Sequence, residues 1–130
     1  MKGRNVVLLL EDQPFVRMAM VEALEAGGFM VVEISEPSEA LAHLERATAT
    51  TSQSALLTDI EMAGGMNGCE LAWQVRQHSP DTPVLVVSGA PRPSAADLPP
   101  KARFLPKPTT PDGLADSLYE ALRELEVLPR

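Results

Sequence analysis

The sequence predicts an α/β protein: a parallel β-sheet with helices on both faces. Short apolar runs alternate with segments of helical periodicity, at the spacing of βαβ units. The apolar runs are continuous, VVLLL at 6–10 and VLVV at 84–87, whereas a strand with one wet face would alternate. The length, 130 residues, suits a single domain with one core.

Val6–Leu10 is the first expected strand. Pro14–Ala26 follows as a helix, because proline is tolerated in a first turn and Val16, Ala19, Met20, Ala23 and Leu24 share one face. Gly27 and Gly28 end it. Phe29–Ile34 is the second strand and Pro37–Ala47 the second helix, followed by the polar loop TATTSQS. Ala55–Thr58 is a third strand that runs into Asp59, and Gly64, Gly65 and Gly68 mark the loop beyond it. Asn67 and Glu70 have capping-box spacing, opening a helix that carries Leu71, Ala72 and Val75. Pro83–Val87 is the fourth strand, ending in Ser88-Gly89, and Ala102–Leu105 is the fifth. Thr110-Pro111 caps a last helix to about Glu126, with Leu114, Leu118, Ala121, Leu122 and Leu125 inward.

A further helix belongs between the fourth and fifth strands. Pro91, Pro93, Pro99 and Pro100 crowd that segment and leave only Ser94–Leu98 free to be helical, about one turn. The expected fourth helix is therefore shortened or irregular. No internal repeat or linker breaks the pattern, so the expectation is one domain over 1–130 with its core at about 5–126 and no output domain after the last helix.

Composition excludes several classes. A net charge of −7 argues against nucleic acid as a partner, since phosphate backbones demand Lys and Arg. No apolar stretch approaches the roughly 20 residues of a membrane span. The basic, then apolar N-terminus faintly resembles a signal peptide, but its apolar run is too short and ends in acids. The single cysteine, Cys69, rules out an internal disulfide and fits a reducing, cytoplasmic setting.

In an open parallel sheet, ligands gather beyond the carboxyl ends of the strands. There the first strand delivers Glu11 and Asp12, the third Asp59, the fourth Ser88 and the fifth Lys107. Clustered carboxylates disfavour one another's charge, and a divalent cation relieves this. Mg²⁺ is the natural candidate, because it prefers hard oxygen ligands and keeps some waters. With the metal, phosphoryl transfer becomes available: Asp59 as nucleophile, Lys107 as a point charge on a phosphoryl oxygen, Ser88 as a hydrogen-bond donor.

These residues carry a resemblance. The acid pair Glu11-Asp12, the LLTDIEM stretch around Asp59, Ser88-Gly89, and Phe104-Leu-Pro-Lys107-Pro108 stand in order at successive strand ends. The chain resembles the receiver domains of bacterial two-component response regulators, of the stand-alone, single-domain type. The resemblance implies a flavodoxin-like, doubly wound five-stranded parallel sheet in order 2-1-3-4-5. It also implies phosphorylation of Asp59 by a sensor histidine kinase or phosphotransfer protein, with Mg²⁺ as cofactor. Ser88 and Phe104 fall on the family's switch pair, and the backbone carbonyl of Glu61 on its metal ligand. Signalling would pass to a downstream protein target, or the domain would act as a phosphate sink; neither nucleic acid nor membrane is an expected partner, and a weak homodimer is allowed for. The chain departs from the family in having Met62-Ala63 and an extra glycine after the acceptor, Phe104 for the commoner Tyr, Thr109 after Lys-Pro, and the proline-broken fourth helix.

Two other functions compete. A haloacid-dehalogenase-like, Mg²⁺-dependent phosphatase also uses an Asp nucleophile, but needs a second Asp two residues on, where this chain has Glu61, and usually carries the pair after its first strand. A phosphorylation-independent binding module would not need the acids and lysine that are all present. Other residues read more plainly. Cys69 is a packing thiol and the two histidines, His43 and His78, lack ligand-like neighbours, while Phe15, Met18, Trp73 and Tyr119 lie off their inward stripes as candidate docking residues.

Overall fold

The computed structural model describes residues 5–47, 54–61, 66–89 and 97–126. Five strands, β1 (Val6–Leu10), β2 (Met30–Ile34), β3 (Ser54–Asp59), β4 (Val84–Ser88) and β5 (Ala102–Pro106), alternate with four helices. These are α1 (Pro14–Ala26), α2 (Pro37–Ala47), α3 (Gly68–His78) and α4 (Pro111–Glu126). The strands form one sheet in the order β2-β1-β3-β4-β5, and every pairing is parallel. The doubly wound architecture expected from the sequence is the one observed.

The central strands are buried almost end to end, as their unbroken apolar runs required. The two edge strands are wetter: β2 exposes Met30 and Glu33, and β5 is only half-buried. One core lies between the sheet and α1 and α4, around Leu9, Leu24, Phe29, Leu57, Leu85 and Leu118. The other lies against α2 and α3, around Leu8, Ala40, Leu56, Leu71, Val75 and Val86.

The helix ends follow their local signals. At the end of α1, Gly28 takes a positive φ of 97° and Phe29 N–H donates back to the Leu24 carbonyl at 3.0 Å. Phe29 is thereby spent on the helix terminus and sits fully buried ahead of β2 rather than opening it. Asn67 and Glu70 form the expected capping box on α3, and Thr110 Oγ1 accepts Gly113 N–H at 2.9 Å at the start of α4.

Other boundaries move by a residue. β3 takes in Ser54 and Asp59, β4 starts after Pro83 and includes Ser88, and β5 extends to Pro106. Ala19, expected inward on α1, is exposed. Of the proline-rich connection, 90–96 lies outside the described residues, as do Gly64 and Gly65 of the glycine loop and the side chain of Leu125. Residues 97–101 make turns before β5, with Leu98 packed on the second core.

Candidate functional site at the carboxyl edge of the sheet

The parallel register places the ends of β1, β3, β4 and β5 along one edge, and the polar residues gather there. Glu11 follows directly after β1 and is 1% exposed. A buried carboxylate demands partners, and Glu11 has them: Oε1 accepts Lys107 Nζ at 2.8 Å and Oε2 accepts Gln13 N–H at 3.2 Å. Asp59, the last residue of β3, is also buried, and its Oδ2 accepts a second bond from Lys107 Nζ at 3.1 Å. Asp12 is exposed and completes the group: one carboxylate oxygen from each of Glu11, Asp12 and Asp59 lies within 4.8 Å of the others.

Lys107 is held by its backbone as well as its side chain. Its N–H donates to the Ser88 carbonyl at 2.9 Å, which continues the β4–β5 ladder past the strand end; the Lys107–Pro108 peptide is cis. Burial alone would lower the ammonium's pKa, but the hydrogen bonds and charges of Glu11 and Asp59 outweigh it and hold Lys107 above its ordinary value. The cation therefore persists through the neutral range.

The Lys107 ammonium bonds two of the three clustered carboxylates, Glu11 and Asp59. The donor set is oxygen only, with neither His nor Cys, and the exposed Asp12 leaves one side open to water. Such a set fits a hard divalent cation that keeps part of its hydration shell, which describes Mg²⁺ better than Zn²⁺.

Ser88 ends β4, is buried, and lies one residue beyond Val87, the register partner of Asp59. Phe104 is paired with Val86 and packs partly buried against the second core. Parallel register puts Val86, Ser88 and Phe104 on one face of the sheet. Glu61 follows Asp59 by two residues with its side chain exposed.

The family model of the response regulator receiver domain matches residues 7–119. The chain belongs to the response regulator receiver family. Receiver domains are phosphorylation-controlled signalling switches rather than enzymes of the usual kind, and they bind Mg²⁺ at their acidic site. The phosphatase and the phosphorylation-independent readings find no support. The receiver protein CpdR of Brucella abortus is 34% identical over 106 residues, covering 78% of this chain and 83% of that protein. The sensor kinase CckA of Brucella abortus is 35% identical over 127 residues, covering 95% of this receiver domain but 13% of the kinase. Against a DctD transcriptional regulator of Pseudomonas aeruginosa the share is 26% of that protein, so the chain spans only 13% and 26% of these two longer relatives. A receiver protein structure from Sinorhizobium medicae superposes with a TM-score of 0.80 at 23% identity, covering 95% of this chain and 98% of that one.

Three features of the receiver domain's site escaped the sequence reading. Arg17 Nη1 donates to the Glu11 carbonyl at 3.0 Å, and its Nε pairs with Glu33 at 3.1 Å. Gly68 lies against the backbone of Asp59. An apolar groove of about 580 Å³, lined by Phe15, Ala19, Lys107, Pro108 and Leu114 among others, opens beside Lys107. Phe15, 86% exposed and off the inward stripe of α1, was the one sequence signal for that groove. Of the other candidate docking residues, Met18 is exposed. Trp73 and Tyr119 are half-exposed but engaged, Trp73 Nε1 with the Asp97 carbonyl at 3.1 Å and Tyr119 Oη with the Gly27 carbonyl at 2.6 Å.

Proposed function

We propose that Asp59 accepts a phosphoryl group from the phosphohistidine of a sensor histidine kinase or phosphotransfer protein. One Asp59 carboxylate oxygen forms the new bond to phosphorus as the phosphorus–nitrogen bond breaks, and the imidazole leaves with its second nitrogen still protonated. The observation that carries this reading is the position of Lys107 Nζ, bonded at once to Asp59 Oδ2 and Glu11 Oε1. An ammonium so placed can pass from the carboxylates to an incoming phosphoryl oxygen without travelling far. Ser88 supplies a hydroxyl to another phosphoryl oxygen, and Phe104 follows its movement.

Glu11, Asp12 and Asp59, with the backbone carbonyl of Glu61, are the residues that would hold Mg²⁺. When bound, Mg²⁺ neutralises charge on the phosphoryl oxygens. The donor approaches over the open edge, where Phe15 and the groove beside Lys107 offer apolar surface. The phosphorylated domain then signals to a protein target or drains phosphoryl groups from a shared kinase. A cytoplasmic location goes with this reading, because the phosphoryl group originates from ATP.

Incubation with acetyl phosphate and Mg²⁺, followed by intact-mass measurement, tests the acceptor. The wild type should gain one phosphoryl mass that hydroxylamine removes. Asp59→Asn should gain none while keeping its fold, since removing one of three neighbouring negative charges relieves repulsion. Full labelling of the Asn variant would overturn the assignment.

A further inference from the structure

We propose that Gly68, together with Thr58, positions Asp59: the two residues fix the backbone from which the acceptor side chain projects. This inference rests on the reading of Asp59 as the phosphoacceptor.

Gly68 opens α3 and is buried. A Cβ at this position would overlap the Asp59 carbonyl oxygen, and would come within 2.8 Å of the Asp59 carbonyl carbon and 2.9 Å of Ile60 Cα. All three are backbone atoms, so no side-chain rotation relieves the clash. The N–H of Gly68 donates to the Ile60 carbonyl at 2.8 Å. From the strand side, Thr58 Oγ1 donates to the Asp59 carbonyl at 3.0 Å in a buried bond. From the neighbouring strand, the Val87 carbonyl accepts Ile60 N–H at 3.1 Å. The Asp59–Ile60 peptide is thus held by α3, by β4 and by the residue before it.

The helix that presses on this peptide is itself anchored. Asn67 Oδ1 accepts Glu70 N–H and Glu70 Oε1 accepts Asn67 N–H, both at 2.9 Å, which pins the first turn of α3. In-line transfer is sensitive to misplacement of reacting atoms on the order of 1 Å. The contact at position 68 therefore bears on the rate of transfer at Asp59 as well as on packing.

The test is the rate constant of labelling by acetyl phosphate at saturating donor and Mg²⁺, read by intact mass per folded molecule, with thermal midpoints measured alongside. Gly68→Ala should slow labelling about tenfold or more. Leu118→Ala, which opens a cavity on the opposite face of the sheet, should lower the midpoint while labelling at the wild-type rate. Thr58→Ser, which keeps the hydroxyl, should match the wild type, and the near-isosteric Thr58→Val should be several-fold slower.

Gly68→Ala labelling at the wild-type rate, or slowing no more than Leu118→Ala at equal loss of stability, overturns the proposal. Should Gly68→Ala not fold, the Thr58 pair decides, and equal rates for Ser and Val overturn it. A wild type that takes no label overturns the acceptor assignment itself, and the inference with it.

Discussion

On one face of the sheet, α1 and α4 lay apolar stripes across β1, β3 and β4, and the two helices pack so closely that a Cβ on Gly27 would come within 2.9 Å of Ala115 Cβ. On the other face, α2 and α3 do the same work as far as Val75, but no α-helix is found between β4 and β5 among the described residues. There the chain approaches β5 through turns, and side chains of α3 reach across to its backbone. Trp73 Nε1 donates to the Asp97 carbonyl, and Arg76 Nε donates to the Pro100 carbonyl at 3.0 Å. Arg76 Nη1 also donates to the carbonyls of Pro80, at 3.0 Å, and Thr82, at 2.6 Å.

The difference has a physical cause. A helix satisfies most of its own carbonyls, whereas a turn segment leaves them to be met from outside. One face is closed by burying hydrocarbon; on the other, residues 97–100 add hydrogen bonds from Trp73 and Arg76 to the packing of Leu98. The second method carries a penalty. Burial lowers the pKa of Arg76 from its ordinary value, with nearby Asp81 opposing, and its Nη2 is buried without a partner among the described residues.

The sharpest way to break this comparison is to cut each face at its centre and measure denaturant unfolding. Leu118→Ala, on the helix-closed face and fully buried, should cost about 3 kcal/mol through lost burial and the cavity left behind. Arg76→Ala should cost less, about 2 kcal/mol, because the lost hydrogen bonds are partly offset by no longer burying a charge. If Arg76→Ala proves the more damaging of the two, the hydrogen bonds of Arg76, not buried hydrocarbon, are the main support of the second face.

Trp73→Phe should be milder, about 1 kcal/mol or less, since it removes one hydrogen bond at a half-exposed site. Hydrogen exchange should speed up at the amides of Asp97, Leu98 and Lys101 in this variant and remain unchanged in α4. Equal acceleration in both would refute a local role for the tryptophan.

The smallest effect concerns Cys69, on the same face. Burial raises its thiol pKa above the ordinary value, and the charges of Asp97 and Glu70 push it further up. A raised pKa means less thiolate at a given pH, so alkylation by iodoacetamide at pH 8 should be slower than that of a free thiol and should accelerate only as pH rises past the ordinary thiol range. Alkylation at the free-thiol rate would show that Cys69 is less enclosed than its place in α3 implies.

The same contrast explains what the sequence could disclose. The hydrophobic layers were legible because they are periodic: VVLLL and VLVV declare buried strands, and Leu114, Leu118 and Leu122 recur on one helical face. Helix limits were legible because Pro14, Gly27-Gly28, Asn67 with Glu70, and Thr110-Pro111 act locally. The acid cluster followed from strand ends and the rule for parallel sheets. What stayed hidden depends on approach in space between distant parts of the chain. Nothing local says that Gly68 presses on the Asp59 carbonyl, or that Arg76 reaches Pro100. Phe29 looked like a strand residue because its apolar character fits one, yet its N–H was already claimed by the end of α1.

The hydrogen bond from Gly68 to the Ile60 carbonyl has a consequence for how this chain can drift over generations. It closes the neck of the segment that leaves the sheet after Asp59 and returns at α3. Once a neck is closed, the entropy of the loop beyond it grows only with the logarithm of its length, about 0.6 kcal/mol for each doubling. Between Glu61 and Met66, whose side chain packs on the second core, added chain length therefore costs little while the acceptor keeps its place. The extra glycine in the stretch Met62-Ala63-Gly64-Gly65 is a change of the kind such a neck tolerates. Any residue at position 60 supplies the carbonyl that ties this neck, whereas position 68 has no room for a side chain.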